Sequence, residues 1–179
     1  MKNVDNWDVN KKQGDIGEHL FRVWLIRTGW KLHPYNKDDD FKHWVDIKGE
    51  YKGETVIFDV KWDTCIYGTE NIAFETYNNK PNGDYGWGLS EDSWVDFVVV
   101  FAATAPADNK QFWIFNKNHL REYYNKHKDG LVHELVGKAK TTEVALIPLM
   151  DIIIYYGCWF VSEEQGCKFC GLDKWKIIA

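Results

Sequence analysis

The chain has no apolar run of about eighteen residues, the length a membrane-spanning helix needs. Its longest apolar stretch, 144–160, is broken by Pro148, Asp151 and Gly157. The opening MKNVDNWDVNKKQGD is polar and lacks the apolar centre of a signal peptide, which predicts residence in the cytoplasm. Cysteine is scarce, with four in 179 residues, too few for a secreted disulfide framework. No second CxxC accompanies Cys167-x-x-Cys170, and the six histidines show no HExxH or HxH spacing. Reduced, partly buried thiols are therefore expected. The alternative is a structural zinc on Cys158, Cys167 and Cys170, with Cys65 or a histidine as fourth ligand. A GxxxxGK[ST] phosphate loop and a GxSxG elbow are both missing, which leaves an NTPase or serine hydrolase without support. No internal repeat and no linker divides the chain, so one domain over 1–179 is predicted.

An excess of positive charge is also lacking. The formal net charge of −5 argues against a general nucleic-acid coat protein. The charge is uneven, however. Lys110, Lys117, Arg121, Lys126, Lys128, Lys138 and Lys140 face only Glu122, Asp129 and Glu134 in one stretch, a local +4 that leaves −9 on the remainder. An acidic half beside a basic half suits the gripping of a phosphate backbone, although lysine runs are more often solvated helix faces. What the chain does have is apolar and aromatic bulk, at 45% and 16%, including ten tryptophans, enough for a real core.

Periodicity predicts a helix over 13–28, with Ile16, Leu20, Val23, Trp24 and Arg27 on one face and Gly14, Glu18, Phe21 and Leu25 on a second. Glu18 then lies at the edge of the buried arc. A short strand over 30–34 and a loop over 36–40 follow, the three acids Asp38, Asp39 and Asp40 reading as exposed loop. Next comes VDIKGEYKGETVIFDVKWD, a hairpin about Tyr51-Lys52-Gly53-Glu54, because Gly53 takes positive φ at little cost. Strands are expected at 71–77, 94–101, 111–115 and 143–147, the second of these buried on both faces. A helix from Asn116 or Asn118 to about Lys128 lies between the last two strands. The Gly/Pro/Asn-rich stretch 78–92 reads as a long loop carrying Tyr85 and Trp87, either stacking on a substrate or tucking onto the body. Helix, strands, then strand–helix–strand predicts an α/β or α+β domain with a mixed central sheet flanked by helices.

The hairpin carries the chemistry. Asp59 and Lys61 are two apart on one strand and share a face, and Asp46 stands on the strand before. Two acids and a lysine aimed at one spot are what a magnesium-dependent phosphodiesterase needs. Mg²⁺ takes oxygen ligands and keeps several waters, so two or three carboxylates suffice. Taken singly, Asp59 and Lys61 could be a solvated pair, Asp46 a turn-flanking acid that pairs with Lys48, and Glu18 a border charge.

In order and spacing, Glu18 on the first helix, Asp46 on a strand and Asp59-x-Lys61 on the next resemble the PD-(D/E)xK nuclease superfamily. They are most similar to archaeal and phage Holliday-junction resolvases and related phage endonucleases. The Gly14-Asp15-Ile16-Gly17-Glu18 opening and the later GTENIAFETY and LSEDSWVDFVVVF segments are similar too, so the likeness covers 13–101. Val45 stands where the motif name has proline. The resemblance implies a restriction-endonuclease-like core over about 13–128, with 129–179 unassigned. It implies Asp46, Asp59 and the Val60 carbonyl as Mg²⁺ ligands, with Mn²⁺ able to substitute, and Glu18 completing the cluster or holding a second metal. Lys61 would orient or help deprotonate water, and Glu75 is a further candidate on the next strand. Tyr85, Trp87, Lys117 and Arg121 are candidate substrate contacts. The implied activity is a DNA endonuclease acting on branched or junction DNA as a homodimer, phage-borne and working in the host cytoplasm. The competing expectation is a catalytically inactive nuclease fold that binds a host defence protein, which the acidic, aromatic-rich composition suits.

Overall fold

The two-residue turn Lys52-Gly53 sets the middle of the fold. Both residues have positive φ, 53° and 86°, the combination that matches strand twist in a tight hairpin. The turn joins β2 (Ile47–Tyr51) to β3 (Glu54–Asp63), with Tyr51 opposite Glu54 and Ile47 opposite Phe58. The computed structural model describes residues 7–63, 66–102, 111–137, 139–162 and 166–170. On its other edge β3 pairs in parallel with β6 (Phe97–Ala102), Asp59 beside Val98 and Lys61 beside Val100. Parallel neighbours need a long crossover. This one contains α3 (Ile66–Thr69), β4 (Asn71–Asn79) and β5 (Asp84–Tyr85).

The large sheet is completed by β1 (Lys31–Leu32) at one edge and by β7 (Phe112–Asn116), β10 (Cys158–Ser162) and β11 (Gly166–Cys170) at the other. Its order is β1-β2-β3-β6-β7-β10-β11. After β7 come α4 (Lys117–His127), β8 (Val132–Val136), β9 (Thr142–Pro148) and α5 (Leu149–Tyr155). A second, antiparallel sheet runs β5-β4-β9-β8. The expected mixed sheet with helices is therefore present, and the stretch 129–179 supplies strands to both sheets rather than forming an appendage.

Two cores flank the large sheet. On one face Phe21 and Leu25 of α1 (Trp7–Arg27) pack against Phe58, Val60, Val99, Phe101 and Phe112. On the other, Val98, Val100 and Phe115 meet Ile72, Phe74, Ala145 and Ile147 of the second sheet, with Leu120 of α4 and Ile152 of α5. β6 is buried on both faces, as its apolar run predicts.

Several boundaries differ from expectation. Helix α1 starts at Trp7, and its closest packing follows the Gly17–Phe21–Leu25 line, leaving Ile16 49% exposed. Gly17 is the reason: a Cβ there would lie 3.2 Å from Trp62 Cε3, so any larger residue would push the helix or the tryptophan back by a few tenths of an ångström. Leu20, Val23 and Trp24 border a cavity of about 520 Å³ instead of a closed core. The expected loop at 36–40 is the start of α2 (Lys37–His43). Asn36 caps it by accepting from the Asp38 N–H, and Asp38, Asp39 and Asp40 sit in the first turn, where the helix dipole favours acids. The strand expected from 94 begins at Phe97. Among the described residues no helix is long and apolar enough to cross a membrane.

Candidate active site

The site forms where β2 stops short. β2 begins at Ile47, but β3 runs on to Asp63, so the β2-side edge of β3 needs partners beyond Phe58. Asp46 supplies them: its backbone N–H donates to Phe58 O at 3.2 Å, and its side-chain Oδ2 accepts from the Val60 N–H at 2.6 Å. The carboxylate takes the place of a strand. From α1, Arg22 Nη2 donates to the Asp46 backbone oxygen at 2.5 Å and approaches Glu18 Oε2 at 3.7 Å.

Strand alternation decides which acids meet. Phe58 and Val60 point toward α1, so Asp59 and Lys61 point to the opposite face of the sheet. There Asp59 is 1% exposed and its Oδ1 lies 2.7 Å from Lys61 Nζ, a lysine 39% exposed. Glu18 stands on the α1 side, and Asp46 occupies the edge between. The acids thus form a line around the sheet edge, from Glu18 through Asp46 to Asp59 and then Glu75.

The electrostatics follow this line. Burial, then the charge of Asp46, push Glu18 up to about 7, with Arg22 opposing. Burial and Asp59 push Asp46 up to about 7 against the pull of Lys61 and the Val60 N–H. Asp59 is raised by burial, with Lys61 working the other way. Burial also raises Glu75, which Lys61 and the Trp87 N–H pull back. Lys61 itself suffers desolvation, but Asp59, Asp46 and Glu75 outweigh it and hold its pKa above the usual lysine range. The cation that acts most on Asp46 is thus Lys61, not Lys48.

These residues can be tested for fit to a divalent cation. Asp59 Oδ2 is buried with no hydrogen-bond partner, save a proton shared with Asp46. A buried carboxylate oxygen without a donor is costly, and a hard cation would relieve both the orphaned oxygen and the repulsion within the pair. Asp46 and Asp59 therefore fit Mg²⁺ as a pair. Among the described residues no three His, Cys, Asp or Glu side chains are gathered to hold one ion. Glu18 and Asp59 being on opposite sheet faces explains this, and of the two roles expected for Glu18 it leaves the holding of a second cation.

The candidate substrate contacts are mostly committed elsewhere. Trp87 is 1% exposed, edge-on to Phe74, and so belongs to the core. Lys117 is buried, donating to Ser93 O and Oγ, and Arg121 donates to Gly88 O and Ser90 O. Both hold a loop rather than face solvent. Tyr85 is 52% exposed and stacks on Tyr77 at 5.1 Å, which leaves one ring face open.

Three residues not assigned to the site from the sequence join it. Tyr35 donates to Asp40 Oδ2 at 2.6 Å, which with burial pushes the phenol up to about 12, and the Asp40 charge acts on both Glu18 and Asp46. The signal for Asp40 was legible, since an Asn cap with acids through the first turn is a helix start. Arg22, four residues after Glu18 on a helix, was equally readable as its ion-pair partner.

The zinc alternative does not form among the described residues. Cys158 is buried opposite Cys170 across β10 and β11, while Cys167 is exposed. Cys167 and Cys170 are three apart on one strand and face opposite sides, so the three thiols do not converge. Cys65, Lys110, Lys138 and residues 171–179 lie outside the described residues. In comparisons with known proteins, no family model, no curated protein and no solved structure matches this chain.

Proposed function

We propose that the protein is a Mg²⁺-dependent endodeoxyribonuclease with a restriction-endonuclease-like core of the PD-(D/E)xK kind, selective for branched or junction DNA. What carries the reading is Asp59, a buried carboxylate with one oxygen on Lys61 and the other with no donor but the Asp46 carboxyl, itself pushed up to about 7. Such displaced acids in contact with a lysine are the mark of a catalytic centre more than of a structural ion pair. Asp46 and Asp59, with the Val60 carbonyl, would hold the cation, which when bound supplies positive charge at the phosphate and acidifies water. Lys61 keeps its proton in this acidic setting, so it orients the attacking water and faces the developing charge as a donor, not as a base. Glu18, whose carboxyl feels the charge of Asp46, would hold a second cation on the α1 side. Two-strand cutting at a symmetric junction favours a homodimer with two such sites.

The test is cleavage of plasmid, linear duplex and a four-way junction in Mg²⁺ or Mn²⁺. Junction cutting lost in both Asp59→Asn and Lys61→Ala supports the assignment. No cutting by the parent, or variants as active as the parent, refutes it.

A second reading, a non-catalytic nuclease fold that binds a host defence protein, draws on a different observation. Met150, Ile154 and Tyr155 leave apolar surface exposed along α5, a feature that suits a protein partner. Calorimetry without divalent binding, together with capture of one host protein abolished by Ile154→Asp, would favour it.

A further inference from the structure

The second sheet covers only part of the large sheet. The core between them is built on Val98, Val100 and Ala102 of β6, Phe115 of β7 and Cys158 of β10, with no residue of β1 or β2. The uncovered part lies beside the site. Ile47 and Leu32 turn toward α1, so Lys48 and Glu50 of β2 turn to the other face, the one that carries Asp59 and Lys61. The register agrees. Lys48 stands opposite Ile57, two residues before Asp59 on β3, and Lys31 stands opposite Glu50. His33 comes next to Lys48, its N–H donating to Lys48 O at 2.9 Å.

Charge on this strip is unevenly paired. Glu50 Oε2 has two cations at 3.8 Å, Lys31 Nζ and His33 Nε2. Asp46, on the other side of Lys48, has its Oδ2 on the Val60 N–H. Lys48 is half-buried, and among the described residues no hydrogen bond or ion pair engages its ammonium. A half-buried ammonium gives up hydration, and here no carboxylate offsets the loss. Cross-strand packing on Ile57 would account for the burial of the stem, but it leaves the charge unexplained.

We propose that Lys48 is a substrate contact, which grips a backbone phosphate of the cut DNA strand one or two nucleotides from the scissile one, resting on the nuclease reading for where that phosphate lies. Lys48 is two residues from Asp46 along an extended chain, about 6.8 Å. That is twice the rise of about 3.4 Å per phosphate along one DNA strand. A strand that brings its scissile phosphate to Asp59 and Lys61 and runs over the uncovered part of the sheet therefore passes a phosphate over Lys48. Lysine suits the task, being a point charge with three donors on a flexible stem. Lys31, 75% exposed, continues the line to the sheet edge. In a chain of net charge −5, the grip on DNA then depends on a few local cations rather than on a basic surface.

The experiment is equilibrium binding of a fluorescently labelled four-way junction, read by anisotropy in EDTA over about 50 to 200 mM salt. Lys48→Met keeps the apolar stem and removes the charge. It should flatten the slope of log affinity against log salt by about 0.9, the value for one phosphate contact, an affinity loss of about eightfold at 100 mM. Lys48→Gln, polar and of similar length, should show the same change if methionine loosens the sheet. Lys48→Arg should bind as the parent does, and so should Lys126→Met, whose lysine pairs with Glu122 on α4. The parent's slope retained in Lys48→Met and Lys48→Gln overturns the inference. So does a parent that binds no junction, or an equal change in Lys126→Met. Cutting is scored separately in Mg²⁺. A protein that cuts nothing yet binds the junction through Lys48 loses the nuclease reading and keeps this contact. One that cuts through Asp59 yet binds alike with and without the Lys48 charge does the reverse.

Discussion

Glu143 on β9 and Asp59 on β3 are both buried carboxylates, 5% and 1% exposed, and the fold treats them in opposite ways. Glu143 Oε1 accepts from Thr76 Oγ1 at 2.9 Å and faces His133 Nδ1 at 3.3 Å, while Oε2 pairs with Lys80. Burial works against its charge, but Lys80, Thr76 and His133 outweigh it and the pKa falls below the ordinary range. Asp59 has one cation on one oxygen, none on the other, and acids on both sides. Its pKa rises. Burial of an acid therefore does not mark a function by itself. What separates the two is whether the fold supplies partners or withholds them.

The contrast can be broken in several ways. The largest expected effect is on cleavage: Asp59→Asn should lower the junction-cutting rate by about 1,000-fold, near 4 kcal/mol of barrier, while Glu143→Gln stays within about twofold of the parent. Equal losses would mean that Glu143 is no mere structural acid. Next is the response to cation. At pH 8, Mg²⁺ at a hundred times its dissociation constant should stabilise the parent by about 2.7 kcal/mol in thermal unfolding. Glu143→Gln should keep that gain, and Asp46→Asn and Asp59→Asn should lose it.

Glu143→Gln should instead cost about 1–2 kcal/mol in urea unfolding, the worth of hydrogen bonds to a charged group, kept low because Lys80 is half exposed. The smallest effect has opposite signs at the two sites. Glu18 and Asp46 hold protons more tightly folded than unfolded, so stability without cation falls as pH rises from their ordinary range, 4.5 and 3.8, to about 7. Asp46→Asn should flatten that fall and stabilise the protein at pH 8 by about 1 kcal/mol. Glu143, with its depressed pKa, contributes stability above its ordinary range that is lost as pH drops through it. A parent whose stability rises steadily from pH 4 to pH 8 would refute the assignment at Glu18 and Asp46.

The legible parts of the molecule are the local ones. Alternation placed Asp59 and Lys61 on one face, Gly53 marked the turn, and the apolar run at 94–101 announced a strand buried on both sides, which the fold starts at Phe97. The helix face was harder. Five apolar or amphipathic residues outvoted the Gly17–Phe21–Leu25 line, because a periodicity count scores side-chain hydrophobicity and cannot see that a missing Cβ allows the closest approach. Trp87 among glycines was ambiguous for a similar reason. A loop tryptophan and a core tryptophan look alike until Phe74 is beside it.

The partners of β4 are the clearest case of what local pattern does not carry. Glu75 lies opposite Val144, about seventy residues on, in a stretch that sequence reasoning left mostly unassigned. Local propensity cannot choose among distant strands of equal hydrophobicity, since loop closure and shared burial decide the pairing.

By itself the sequence determined the chemical inventory and its local order: two acids and a lysine on a hairpin, a glutamate on the helix before it, and no competing catalytic motif. Only the tertiary structure decided which of these acids feel one another. It set Glu18 and Asp59 on opposite faces of one sheet, put Asp46 at the edge between them, and let the charge of Glu75 act on Lys61 from a second sheet. The reason is physical. A residue's type is local, but its charge state depends on burial and on neighbours within a few ångströms, and those neighbours come from chain segments far apart in sequence.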